Sequence, residues 1–216
     1  MSESLILAFD TSAPHCAVSL LKNDQVIVSR QENMTKGQAE RIMLLIQEVL
    51  QEANVGFKDL TTIGVGIGPG NFTGIRISVS AARGLKLALG IPVVGVSTLE
   101  AMSYGYDGVR VSVMDAKRGN FYVQIFDGPN QQEPLRCTSQ DVPRPPVGTQ
   151  PRFLGTAETI AELTDTPASQ SVMPLTDAIA HIAQTRTHSE LSAPSPLYLR
   201  APDAAPSRDT APQLIK

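Results

Sequence analysis

The sequence predicts an α/β protein of two lobes, and three observations predict it. Short apolar runs with the look of buried strands alternate with stretches of helical period along residues 1–105. A strand ending in Asp, a tight turn and a returning strand occur twice, as LILAFDTSAPHCAVSLL and as VRVSVMDAKRGNFYVQIF, about one hundred residues apart. Glycine and proline also segregate: eleven of the 16 glycines lie in residues 1–105, and thirteen of the 16 prolines in residues 106–216. Compact α/β structure with close packing is expected first, and loop-rich structure second, because proline is excluded from helix interiors and central strands. A chance likeness between two hairpins would leave the same trace as a duplication.

The elements follow in order. Leu5–Phe9 is an apolar strand, and Asp10-Thr11-Ser12-Ala13-Pro14 is a turn. Cys16–Leu21 is a second strand, Asn23-Asp24 a hairpin turn, and Gln25–Ser29 a third. From Gln38 to Ala53 the period changes: Ile42, Leu45, Ile46, Val49 and Leu50 form the stripe of an amphipathic helix. Met43 lies at the edge of that stripe and Leu44 opposite it, the excess of apolar surface that a partner would cover. Thr61–Ile67 is a strand, GPGNFTG a loop, and Thr73–Leu89 a helix stopped by Gly90 and Pro92. Pro92–Val96 is a short strand, and Ser97 caps a helix with Glu100 three residues on. Val109–Met114 and Phe121–Phe126 are strands around a turn at Ala116–Gly119. Residues 128–151 hold six prolines and read as an irregular connection. Arg152–Gly155 is a short strand, with helices over Thr156–Leu163 and Leu175–Gln184. The expected division is an N-terminal lobe over 1–104, carrying the exposed helices, and a smaller Pro-rich lobe over 105–216 with a loosely ordered tail from Ala201.

Charge narrows the functions. The chain has 18 Lys+Arg against 21 Asp+Glu, balanced in each half (8 against 9, then 10 against 12). Neutralising phosphates needs a local cationic surplus, so direct binding to nucleic acid by this chain alone is not expected. Cys16 and Cys137 have no CxxC spacing, which argues against a cysteine zinc site or a disulfide scaffold and suits a reducing cytosol. No run approaches the length needed to span a bilayer, and MSESLILAFD lacks the cationic start of a signal peptide. A cytoplasmic location is the expectation.

The sharpest local feature is GVGIGPGNFTGIR, residues 64–76. Its glycines lead into a helix N-terminus, whose amides and dipole suit an anion. It lacks the Gly-Lys-Ser/Thr of a phosphate-binding Walker loop. Gly68, Gly70 and Gly74 resemble a dinucleotide fingerprint, yet the next strand ends in Ser97-Thr98 with no acid to hold a ribose. The alternative is packing: Gly74, Ser78 and Ala82, with Ala81 alongside, form a small-residue face on which a second backbone can lie close. The loop Gly68, Pro69, Gly70, Asn71, Phe72 and Thr73 is thus either a packing element or a weak anion site. Asp10 and Asp115 could hold a hydrated metal beside phosphates, but no glycine lies between Asp10 and Gly37 to curl around them. His15, His181 and His188 show no paired metal-ligand spacing, and His15 in its turn is expected to be solvated. No GxSxG elbow occurs. No metal, no cofactor and no complete catalytic constellation is expected.

DTSAPHCAVSLL, GIGPGNFTGIRISVSAARGLKLALGIPVVGVSTLEAM, MDAKRGNFYV and PLYLRAP together resemble the bacterial TsaB (YeaZ) family of threonylcarbamoyladenosine biosynthesis proteins. The likeness runs from Leu5 to about Pro202 and is strongest over residues 61–102. It implies a two-lobe fold of the actin, hexokinase and Hsp70 (ASKHA) type with duplicated mixed sheets. It implies a non-catalytic partner of TsaD, working with the ATPase TsaE. Their complex transfers threonylcarbamoyl from its adenylate to N6 of the adenosine beside the anticodon in tRNAs that read codons beginning with A. tRNA would be met only through the complex, and the isolated chain would form a homodimer on the same surface. TsaD-type proteins carry two metal-binding histidines on a helix, and the corresponding KGQAERIMLLI has none. Many TsaB proteins have a histidine where this chain has Gln38, which cannot titrate or ligate as an imidazole. The implied interface comprises Gln38, Arg41, Ile42, Leu45 and Val49 with Gly74, Ser78, Ala81 and Ala82. On that reading Leu45→Glu or Ala82→Arg would weaken docking and leave the fold intact. The competing reading is an ATP- or metal-dependent kinase or acyl transferase of the same fold, with Asp10 and Asp115 across a cleft.

Overall fold

The structure, a computed structural model of the chain, describes residues 4–128, 130–186 and 193–199. Strands β1 (Leu5–Asp10), β2 (His15–Lys22) and β3 (Gln25–Asn33) form an antiparallel meander, with β4 (Thr62–Gly66) and β5 (Val93–Val96) added in parallel on the far side of β1. The sheet order is β3-β2-β1-β4-β5. β3 runs four residues beyond the expected strand, since pairing with β2 continues to His15–Asn33.

The second sheet repeats this plan in shortened form. β6 (Val109–Lys117) and β7 (Asn120–Asp127) pair antiparallel, and β10 (Arg152–Leu154) adds in parallel beside β6. The short strands β8 (Asn130–Gln131) and β9 (Leu135–Thr138) share the other edge of β7, in the place that β3 takes beside β2. Residues 128–151 are therefore not wholly irregular. Their prolines interrupt an edge strand, a position where a missing N–H costs little. The recurrence of one topology, with β1 parallel to β4 and β6 parallel to β10, makes this a duplicated two-lobe ASKHA-type fold.

Among the described residues five α-helices cover the sheets: α1 (Gln38–Glu52), α2 (Phe72–Leu89), α3 (Thr98–Ser103), α4 (Ala157–Ala161) and α5 (Leu175–Arg186). The central strands β1 and β4 of the first sheet are buried on both faces, and period-two alternation along β1 divides its side chains. Leu5, Leu7 and Phe9 join the core under α1 and α2, while Ile6 and Ala8 join the core under α5. A cut at residue 104 would assign α5 to the second lobe, yet Ala178, Ile179, Ile182 and Ala183 are buried against the first. A polar clasp fixes its first turn, where Ser19 Oγ and Ser29 Oγ both donate to Asp177 Oδ1. α3 in turn packs on β6 and β7, so the last helix of each repeat crosses to the other lobe. The expectation of a loose tail falls on residues outside those described.

Cys16 lies wholly buried on β2. Burial pushes its thiol up to about 11, with the Glu32 carboxylate adding to the shift. The folded chain thus keeps this proton where the unfolded chain, titrating near 9.0, gives it up. Stability contributed here is complete below that pH and is lost as pH rises toward 11. The expected result is a fall of about 2 kcal/mol between about pH 8.5 and about pH 10.5 that is present in the native chain and absent in Cys16→Ala, measured by urea unfolding.

Candidate functional site

The two helices that the sequence singled out lie side by side on the first sheet. The stripe of α1 turns inward as expected: Ile42, Leu45, Ile46, Val49 and Leu50 are all buried. α2 is fixed at both ends. Asn71 caps it by accepting from Gly74 N at 3.0 Å, and Gly90, at φ 68, ends it in the left-handed region where glycine carries no steric cost.

Between α1 and α2 runs an open groove of about 410 Å³, lined by Ala39, Ile42, Met43, Thr73, Arg76, Ile77, Ser80 and Ala81. Arg76 is the one charged residue in this lining. The groove shares few residues with the interface expected from the sequence. Of the nine residues assigned to it, Ile42, Leu45, Val49, Gly74, Ser78 and Ala82 are buried in this chain's own core. Only Ile42, at the floor, and Ala81 line the groove. The periodicity located the inward stripe, whereas the groove is lined beside it by exposed Ala39 and half-buried Met43, Ile77 and Ala81.

Arg41 is engaged within the chain. It donates to Glu32 Oε2 at 2.6 Å and to Glu48 Oε1 at 2.7 Å, joining β3 to α1. Hydrogen bonding to Arg41 holds both carboxyls below their ordinary range. Gln38 is half-buried and donates to Ala13 O at 3.1 Å, so it ties the start of α1 to the first hairpin turn.

The small-residue face of α2 approaches a backbone closely, and that backbone is the hairpin turn of this same chain. Thr11 Oγ1 donates to Gly74 O at 2.6 Å, and Asn71 N donates to Ser12 O at 2.6 Å. A Cβ at Gly74 would stand 1.9 Å from Thr11 O, and one at Gly70 would stand 2.4 Å from Ser12 O. Two of the amides at this helix start are consumed by these contacts and by the Asn71 cap. Gly68 and Pro69 are buried, while Gly70, Asn71, Phe72 and Thr73 are exposed. The contacts favour the packing role of the loop over an anion site.

Asp10 and Asp115 occupy unlike surroundings. Asp10 is fully buried, and its Oδ2 accepts from Ser12 N, Ser12 Oγ and His15 Nε2 at 2.9, 2.9 and 2.8 Å. His15 is thus not solvated: its side chain is 12% exposed and turned onto the carboxylate. Sequence reading missed this because the turn folds back on its own aspartate, a contact invisible to periodicity. Asp115 is exposed and paired with Lys117 Nζ at 2.7 Å, and this partner holds its carboxyl low. Asp10 Oδ1, by contrast, is buried with no hydrogen-bond partner among the described residues, a single open oxygen where a hydrated metal needs several. Among the described residues no group of three or more His, Cys, Asp or Glu is placed to hold a metal ion. Nor is any helix among them long and apolar enough to cross a membrane.

A family profile described as "TsaD: tRNA N6-adenosine threonylcarbamoyltransferase" matches residues 27–143, just over half the chain. A relative from Buchnera aphidicola, "tRNA threonylcarbamoyladenosine biosynthesis protein TsaB", is 44% identical over 124 residues. The chain belongs to the TsaB (YeaZ) family. That match covers 55% of this chain and 58% of the Buchnera protein, so the likeness to this TsaB relative spans little more than half of its length. Similarity over almost the whole chain is found with an uncharacterized protein of Mycobacterium tuberculosis, 32% identical over 94% of this chain and 95% of that one. Among solved structures, a Pseudomonas aeruginosa protein described as similar to "peptidase YEAZ" superposes with a TM-score of 0.76. It is 26% identical and is matched along its entire length by 91% of this chain. TsaB relatives thus match about half of this chain in sequence, and the YeaZ-like structure matches nearly all of it in shape.

Proposed function

We propose that this chain is a non-catalytic partner of a TsaD-type transferase in the formation of threonylcarbamoyladenosine in tRNA, beside the anticodon of tRNAs reading codons that begin with A. The observation that carries the reading is the open, apolar groove between α1 and α2. The names of its relatives, threonylcarbamoyladenosine biosynthesis proteins, support the pathway. A partner covering both helices would bury an interface of standard size, about 1,600 Å² in total. The same face serves the homodimer of the isolated chain, so self-association and TsaD binding exclude one another. TsaE joins the assembled pair, and tRNA is met through the complex, since the charge of this chain is evenly balanced.

Met43→Glu and Ala81→Arg test the surface, because both side chains are half-buried at the groove and neither lies in the core. Each should weaken TsaD binding at least about tenfold, equivalent to about 1.4 kcal/mol, with an unchanged circular dichroism spectrum. The role itself is tested by reconstituting tRNA modification from TsaD, TsaE and the adenylate-forming enzyme. Modification should require this chain, and full activity without it would sink the reading.

A further inference from the structure

The groove has an edge that neither helix explains. Residues 193–199 return from the end of the chain and lie across the first lobe without regular secondary structure. Arg83 Nε donates to Pro194 O at 2.8 Å, and Leu197 N donates to Ile67 O at 2.8 Å. Pro194 is buried beside Gly95, which has no side chain to obstruct it. These anchors deliver Tyr198 onto Phe72, with ring centroids 4.9 Å apart and planes at 25°. The Arg76 guanidinium stands 5.5 Å from the same Phe72 centroid. Tyr198, Phe72 and Arg76 therefore form one row, and Arg76 is also the charged residue of the groove lining.

That row is solvent-open and its bonding capacity is unused. Phe72 is 46% exposed and Tyr198 44%, a costly placement for two stacked rings on a chain with 5% aromatic residues. The Tyr198 hydroxyl has no hydrogen-bond partner among the described residues, and Arg76 touches no carboxylate among them. Tyrosine and arginine dominate the energetics of protein interfaces because they combine a large apolar area with a directional polar end. A strap already anchored by two hydrogen bonds holds its tyrosine in place before binding, so less ordering entropy is lost on association.

We infer that the C-terminal strap completes the docking surface, with Tyr198, Phe72 and Arg76 forming an aromatic–cation edge that takes a partner protein bearing a carboxylate beside an apolar face. Charge selects this occupant over a second copy. The groove lining holds a single cation and no acid, so two copies meeting groove to groove bring arginine and no carboxylate to answer it. This rests on the reading of the chain as a partner of a TsaD-type transferase, and it adds residues that lie outside α1.

The test is calorimetric titration of purified TsaD into the full chain and into its Tyr198→Ala, Arg76→Glu and Arg76→Lys forms, each checked by circular dichroism. Tyr198→Ala and Arg76→Glu should each weaken binding at least about tenfold, and Arg76→Lys should weaken it less. The Arg76→Glu deficit should shrink as salt rises from about 0.05 to about 0.5 M, since a rim charge is screened. In sedimentation, self-association of the isolated chain should be weakened less by Arg76→Glu than TsaD binding is, since the lining of a second copy brings no carboxylate to Arg76. Wild-type affinity in both disruptive variants would overturn this inference and leave the functional reading standing. Loss of self-association with TsaD binding intact would assign the edge to a second copy and overturn it too. Failure of the native chain to bind TsaD at all would overturn the functional reading, and this inference with it.

Discussion

Leu45→Glu should unfold the chain instead of merely weakening its docking. Leu45 is 2% exposed and packs with Ile42, Ile46 and Val49 in the core under α1. Removing a buried leucine side chain alone costs about 2–5 kcal/mol, and an unpaired carboxylate in that space adds the cost of desolvation. The sum is comparable to the about 5–15 kcal/mol by which domains are stable. Met43, two residues earlier and half-buried at the groove, is the control. In urea denaturation followed by circular dichroism, Leu45→Glu should show no folded baseline at 25 °C, and Met43→Glu should keep most of its stability. A cooperative native-like transition in Leu45→Glu would show that α1 is less firmly seated than its buried stripe requires. Ala82→Arg should behave as Leu45→Glu does, since Ala82 is 0% exposed on the inner face of α2.

Gly74→Ala should cost about 3 kcal/mol, although it adds a single methyl group. The added carbon would stand 1.9 Å from Thr11 O and 2.9 Å from Thr11 C. Both are backbone atoms, so relief requires moving the hairpin turn or the start of α2. Either movement breaks the hydrogen bonds Thr11 Oγ1 to Gly74 O and Asn71 N to Ser12 O. Gly84 on the same helix supplies the comparison, because a Cβ there meets nothing within 4 Å. Gly84→Ala should raise stability by about 1 kcal/mol through helix propensity and a less disordered unfolded state. For a chain of this size the two variants should differ in Tm by about 8–16 °C in differential scanning calorimetry. Equal melting temperatures would refute the close approach of α2 to the first hairpin.

Much of the fold was legible because its signals are local. The stripe at Ile42, Leu45, Ile46, Val49 and Leu50, the cap at Ser97 and the stop at Gly90 each act within a few residues, and each appears in the structure. The duplicated strand–Asp–turn–strand pattern likewise recurs as two sheets of one topology. The edge strands β8 and β9 were not legible, since six prolines mask a segment whose pairing comes from β7.

For the candidate site the division is sharper. Periodicity shows that α1 and α2 have apolar rows, but not which row meets a sheet and which meets solvent. The buried row carries the stronger pattern, so the sequence pointed to Leu45, Val49, Ser78 and Ala82, while the open groove belongs to Met43, Ile77 and Ala81. The His15–Asp10 contact joins residues five apart, and the Tyr198–Phe72 stack joins residues more than a hundred apart. Neither leaves a periodic trace. By itself the sequence determined the order of elements, the duplication, the even charge and the family likeness, all properties of neighbouring residues or of composition. The tertiary structure alone decided which helix face remains open, that Asp10 is buried against His15, that α5 crosses to the first lobe and that the strap reaches Phe72 at the start of α2. Those outcomes depend on which surfaces meet across long separations, where burial and steric exclusion act and local patterning carries no information.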